Sequence, residues 1–174
     1  MSVDLLRYVR DVPDFPKPGI SFKDLTPMLA DATAFATAIA QLVAPFRDAA
    51  VERVVGIEAR GFIFGAAAAH ALGAGFVPMR KPRKLPAKTI GVDYALEYGS
   101  DRLEMHADAL VRNERVLIVD DVLATGGTLA AAASLCEQAG ATVVGAALVA
   151  EIAFLGGRAR WSNAAPLHVV LRFD

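Results

Sequence analysis

Cysteine is nearly absent from this chain of 174 residues: Cys136 stands alone, so no internal disulfide can form and the fold must rest on its core. Histidine is scarce too. His70, His106 and His168 are far apart in sequence, and no two have the spacing of a metal site. Neither sign of charge is in excess: the formal net charge of −1 gives no global pull toward nucleic acid or an anionic membrane. Internal repeats, low-complexity stretches and charged linkers are missing, which leaves a single domain over 1–174. The N-terminus has Asp4, Arg7 and Arg10 among its apolar residues and lacks the apolar core of a secretion signal. One segment, Gly61 to Met79, has no formal charge and approaches the length of a membrane span. Its glycines, Pro78 and its division into an Ala-rich helical stretch, a turn and a short strand instead predict a buried helix followed by a strand. The expectation is a cytoplasmic protein with no membrane and no nucleic-acid partner.

Hydrophobic residues make up 55% of the chain, much of it alanine, and charged residues 21%. Their pattern predicts an alternation of elements. A short helix is expected over Val3–Val9, a loop or extended segment over Val12–Leu25, and a helix over Ala32–Phe46. Then come a strand over Val51–Ile57, a helix over Gly61–Leu72 and a strand over Phe76–Arg80. Ile90–His106 reads as a two-stranded flap turning at Gly99-Ser100-Asp101. Arg115–Asp120 is a strand, Leu129–Ala139 a helix, and Ala141–Ala150 and Pro166–Phe173 are the last strands. Strands alternating with helices imply an α/β fold with a mostly parallel twisted sheet and right-handed crossovers. In such sheets, ligands bind beyond the carboxyl ends of the strands. Three loops follow predicted strands and carry chemistry: Glu58 to Gly61, Arg80 to Lys84, and Asp120 to Thr128.

The last of these says most. An apolar run, Val116 to Val119, leads into Asp120 and Asp121, and then into Ala124-Thr125-Gly126-Gly127-Thr128 ahead of a helix. Loop glycines let backbone N–H groups converge on one anion, and a helix N-terminus adds ~0.3–1 kcal/mol of favourable interaction. The paired carboxylates suit sugar hydroxyls, since a carboxylate accepts from O–H and repels phosphate. No Lys follows the glycines, so this is not a Walker P-loop, nor is it the dinucleotide fingerprint.

At these residues the sequence resembles the 5-phosphoribosyl-1-pyrophosphate (PRPP) motif of type I phosphoribosyltransferases. Four further blocks resemble the adenine-specific members of that family, in order along the chain. They are Phe15-Pro16-x-Pro18-Gly19-Ile20-x-Phe22-x-Asp24, Glu58-Ala59-Arg60-Gly61-Phe62-x-Phe64-Gly65, Arg80-Lys81-Pro82-x-Lys84-Leu85-Pro86 and Leu96-Glu97-Tyr98-Gly99. At Arg83 similar sequences often carry glycine.

The resemblance implies a sheet with a small hood from the N-terminal segment (1–30) and a flexible flap (87–106). It implies a purine-salvage transferase that joins adenine and PRPP, giving AMP and pyrophosphate through an oxocarbenium-like transition state. Ala124, Thr125, Gly126, Gly127 and Thr128 are then the 5′-phosphate site, and Asp120 and Asp121 the catalytic pair on the ribose hydroxyls. Arg60, Arg80, Lys81 and Lys84 are candidates for pyrophosphate. Ser21, Lys23 and Val122 are candidates for adenine, Glu97 for the acid/base and Tyr98 for closing the flap. The implied cofactor is Mg²⁺, held by substrate oxygens and water without direct protein ligands. A homodimer is implied as well. A non-catalytic PRPP-sensing regulator, or a transferase for another purine base, remains an alternative reading of the same scaffold.

Overall fold

The apolar character of 116–119 follows from its place in the molecule. In the computed structural model, which describes residues 3–95 and 100–174, Arg115–Leu123 is the middle strand of a five-stranded parallel sheet. Val116, Leu117, Ile118 and Val119 are fully buried. Side chains alternate along a strand. Val116 and Ile118 therefore enter the core on one face, and Leu117 and Val119 the core on the other. A parallel strand covered on both sides reads as an unbroken hydrophobic run.

The strands are β1 (Arg10–Val12), β2 (Phe22–Asp24), β3 (Arg53–Ile57), β4 (Gly75–Met79), β5 (Thr89–Ala95), β6 (Ser100–His106), β7 (Arg115–Leu123), β8 (Thr142–Ile152) and β9 (Leu167–Phe173). The helices are α1 (Thr26–Ala30), α2 (Ala32–Val43), α3 (Gly61–Leu72) and α4 (Gly127–Gln138). The main sheet has the order β4-β3-β7-β8-β9. Helices α2 and α3 cover one face through residues such as Leu42, Phe64 and Ala68. Helix α4 and the β5–β6 hairpin cover the other through Leu129, Leu135, Leu103 and Met105. The predicted α/β class and parallel sheet are what the structure has. Asp31 starts α2 by accepting from Thr33 N at 3.0 Å and Ala34 N at 2.8 Å. No helix among the described residues is long and apolar enough to cross a membrane. Cys136 is buried in α4, and burial pushes its thiol up to about 12.

Several boundaries differ from the sequence expectation. The first helix is a single 3₁₀ turn, Leu5–Tyr8, too short to show a helical period. The predicted loop over Val12–Leu25 contains β2, which pairs antiparallel with β1. Helix α2 stops at Val43 and the chain continues as a 3₁₀ turn over Ala44–Phe46, since Pro45 lacks the N–H an α-helix needs. The turn expected at Gly99-Ser100-Asp101 is corrected: Ser100 and Asp101 lie in β6, paired with Ala95 and Tyr94. Strand β7 runs through Asp120 and Asp121 to Leu123, because its ladder to β8 continues past the acids to the Leu123–Glu151 pair. Helix α4 begins two residues earlier than expected, at Gly127. Leu103 and Met105 of β6 are fully buried, so the base of the hairpin belongs to the core.

Candidate active site

Because the sheet is parallel, the loops after β3, β4, β7 and β8 all leave from one edge. That topology brings Glu58–Arg60, Arg80–Lys84 and 124–126 together from distant parts of the sequence.

At the centre lie Asp120 and Asp121. Asp120 Oδ1 accepts from the Asp121 N–H at 2.8 Å. A Cβ at Gly61 would stand 2.6 Å from Asp120 Oδ1, so only glycine lets the start of α3 approach this carboxyl. Burial, followed by the neighbouring Asp121 charge, raises Asp120 well above the usual carboxylate range. Asp121 is 7% exposed and its Oδ2 accepts from Arg60 Nε in an ion pair. The Arg60 guanidinium also stands over the Phe22 ring, 5.2 Å from its centroid, which ties the N-terminal segment to this edge of the sheet.

The basic loop is organised by Glu58, a residue whose role the sequence does not announce. Its carboxylate accepts from Lys84 Nζ at 2.7 Å, Arg80 Nη2 at 3.1 Å and the Lys81 backbone N–H at 2.9 Å. Burial pushes the Glu58 carboxyl up, but these three donors outweigh it and hold the group at about 2. The peptide joining Glu58 to Ala59 is cis. Arg80 is further fixed by paired backbone bonds to Glu104, each 2.8 Å, which dock β6 on the end of β4. Arg83 sits at φ +64°, in the left-handed region that glycine occupies most easily.

Lys81 reaches the other way. Its ammonium is ion-paired with Asp101 and donates to Tyr94 Oη at 2.8 Å. Burial alone would lower Lys81; Asp101 and Tyr94 reverse that and raise it. The Tyr94 hydroxyl meets Thr128 Oγ1 at 3.3 Å. A hydrogen-bonded chain thus joins the basic loop, both strands of the hairpin and the first turn of α4.

The loop 124–128 encloses a cavity of about 70 Å³, lined among others by Asp120, Val122, Ala124, Thr125, Gly126 and Thr128. Gly126 takes φ +80° and immediately precedes α4, whose N-terminus opens on this space.

The candidate base residues are dispersed. Val122 lines the cavity. Ser21 is exposed just before β2. Along β2, Phe22 turns toward Arg60 while the Lys23 ammonium pairs with Asp11 and lies 4.8 Å from the Phe173 ring centroid. Glu97 and Tyr98 lie outside the described residues. The sequence names Glu58 and Phe22 within motif blocks and Asp101 at the flap turn, but it gives no individual role to these three or to Tyr94. A lone acid before Arg60 was the only hint of the role of Glu58, and an aromatic in an alternating strand the only hint of that of Tyr94.

A parallel sheet edge with a cavity at the N-terminus of α4, twin acids and a basic loop is an arrangement suited to a sugar-phosphate transferase. Residues 26–163 match the phosphoribosyl transferase domain model. An adenine phosphoribosyltransferase of Xanthomonas axonopodis pv. citri is 57% identical over 95% of this chain and 89% of its own length. The crystal structure of adenine phosphoribosyltransferase from Rhodothermus marinus superposes with a TM-score of 0.94 at 51% identity, covering 97% of this chain and 96% of that one. The Saccharomyces cerevisiae enzyme, crystallised with an imino-altritol bisphosphate and adenine, has a TM-score of 0.90 at 38% identity over 96% of each chain. The chain belongs to the phosphoribosyltransferase family, on its adenine phosphoribosyltransferase branch.

Proposed function

We propose that this protein transfers the 5-phosphoribosyl group of PRPP to N9 of adenine, forming AMP and releasing pyrophosphate. The observation that carries this is the convergence, on one sheet edge, of the 124–128 cavity, the Asp120–Asp121 pair and the Glu58-centred basic loop. The relatives that share this fold act as adenine phosphoribosyltransferases by name.

In this reading the amides of 124–128 hold the 5′-phosphate, and Asp120 and Asp121 accept from the ribose hydroxyls. The bond from C1′ to the pyrophosphate oxygen breaks as the bond from N9 to C1′ forms, and positive charge builds on the ribose ring. The adjacent acids, Asp121 buried and Asp120 beside it, place negative potential next to that charge wherever they are ionised. Arg60, Arg80, Lys81 and Lys84 receive the leaving pyrophosphate. The base meets the backbone around Ser21 and Lys23, with Val122 and Phe22 near its faces. Lys23's own side chain is engaged with Asp11 and Phe173.

The donor set fits Mg²⁺. Among the described residues no three acidic, histidine or cysteine side chains gather to hold a metal, yet Asp120 lines the cavity and Asp121 stands next to it, paired with Arg60. A cation held chiefly by substrate oxygens and water, with these acids behind it, suits such a site. When bound it would neutralise pyrophosphate charge. The protein acts as a cytoplasmic homodimer in this proposal.

Purified protein supplied with PRPP, Mg²⁺ and each purine base in turn tests the reading. AMP and pyrophosphate should form with adenine alone. Pyrophosphate release with hypoxanthine or guanine instead, or with no base at all, overturns it. Glu97 is assigned the proton from N9. Glu97→Gln is expected to lower kcat by ~10²–10⁴-fold while the KM for PRPP hardly moves; steady-state kinetics with unchanged kcat would remove Glu97 from the chemistry.

A further inference from the structure

The anion loop does not stand alone: its back rests on a turn that neither the motif nor the transferase reading assigns. Strand β8 ends at Ile152, and the chain then makes two short 3₁₀ turns, Ala153–Leu155 and Gly157–Arg160. Gly157 lies directly behind 124–126. A Cβ on Gly126 would stand 2.3 Å from the Gly157 carbonyl oxygen, and a Cβ on Gly157 would stand 2.1 Å from the Ala124 carbonyl oxygen and 2.9 Å from the Gly126 nitrogen. The obstacles on both sides are backbone, so no rotamer change relieves them. Two separate loops thus touch main chain to main chain, with no room for one carbon on either.

The turn is itself anchored. Arg158 donates from Nη2 to Glu151 Oε2 at 2.7 Å and from Nε to Glu151 Oε1 at 3.1 Å, and from Nη1 to the Leu167 carbonyl at 3.1 Å. Glu151 is 4% exposed. It pairs in register with Leu123 of β7 and with Arg172 of β9. Leu123 is the last strand residue before the anion loop. The fork of Arg158 therefore ties the Gly157 turn to the same sheet rung from which the loop departs, and fixes one against the other.

We infer that Gly157, held in place by the Arg158–Glu151 pair, is a positioning residue that sets the shape of the 124–128 loop for a phosphate monoester. This rests on the reading of that loop as the 5′-phosphate site. Gly157 touches no substrate; it acts by fixing where the Ala124 carbonyl and the Gly126 amide lie. A displacement of this loop by about 1 Å is enough to weaken a preorganised anion site by up to ~100-fold.

The test compares two ligands of the same protein by titration calorimetry: ribose 5-phosphate, which needs the loop, and pyrophosphate with Mg²⁺, which does not. Gly157→Ala should weaken ribose 5-phosphate up to ~100-fold and leave pyrophosphate unchanged. Arg158→Lys keeps the charge but breaks the fork, and should act in the same direction more weakly. In steady-state assays both changes should appear in the KM for PRPP more than in kcat. Folded variants that bind both ligands as the parent does overturn the inference, as do variants that lose both equally. Should Gly157→Ala fail to fold, Arg158→Lys decides by the same comparison. If the parent protein itself binds pyrophosphate but no ribose 5-phosphate, the 5′-phosphate reading of the loop fails, and the inference with it.

Discussion

Asp120→Asn is expected to make the protein less active and more stable. The carboxyl is crowded by burial and by Asp121, both of which raise it above its ordinary value of 3.8. Above pH 3.8 the unfolded chain ionises this group readily while the folded chain resists, so the folded state loses ground as pH rises toward the raised value. Asparagine has the same shape and can still accept the Asp121 N–H through its amide oxygen, but it never ionises. The melting midpoint should therefore rise at neutral pH, and the gain should vanish as pH falls to about 3.8. Activity should move the other way. A permanently neutral amide cannot develop negative charge as the proposed ribose cation forms, which costs ~10²–10³-fold, concentrated in kcat. Differential scanning calorimetry across pH and steady-state kinetics check the two halves. A variant that loses activity without gaining stability would contradict the strained-pair account.

Glu58→Gln should strike PRPP capture. One carboxylate accepts from Arg80, Lys84 and the Lys81 amide at once. Glutamine presents an NH₂ to one of those donors, leaving two N–H groups opposed and the loop without its anchor. The expected result is a rise of ~10–100-fold in the KM for PRPP with a smaller change in kcat, since the bases are misplaced by a fraction of an ångström or more and the ribose acids are untouched. A second signature is pH. The folded value of Glu58, about 2, lies below its ordinary 4.5. Its stabilisation is thus fully present above pH 4.5 and drains away as pH falls through about 2. Urea melts between these limits should be steeper in pH for the parent than for Glu58→Gln. Equal slopes would mean that the carboxylate is not held as described.

Much of the architecture can be read from the chain alone because a doubly covered parallel strand has no polar side to hide. Val116 to Val119 announce the sheet centre, and the Gly-Thr loop after the acids marks the place where the structure has a cavity at the start of α4. The end of β7 is illegible for a related reason: two charged residues look like a terminus, whereas the ladder to β8 simply carries them on to Leu123. Glu58 escapes because its partners lie 22 to 26 residues away, and only the fold makes them neighbours. Tyr94 and Asp101 escape because pairing Lys81 with a hairpin requires knowing where that hairpin docks. Gly157 gives no composition signal at all; its importance is the proximity of two peptide planes.

All four cations assigned to the leaving group already face a carboxylate: Arg60 has Asp121, Arg80 and Lys84 share Glu58, and Lys81 has Asp101. The cleft is thereby close to electrically neutral, and it offers stray polyanions little reward for entering. An incoming phosphate must compete with resident acids for each base, so admission goes to a ligand that can satisfy the displaced carboxylates as well, through sugar hydroxyls or an accompanying divalent ion. Selectivity of this kind comes from exchange of partners, and raising the salt concentration should blunt it far less than it would blunt an open basic patch.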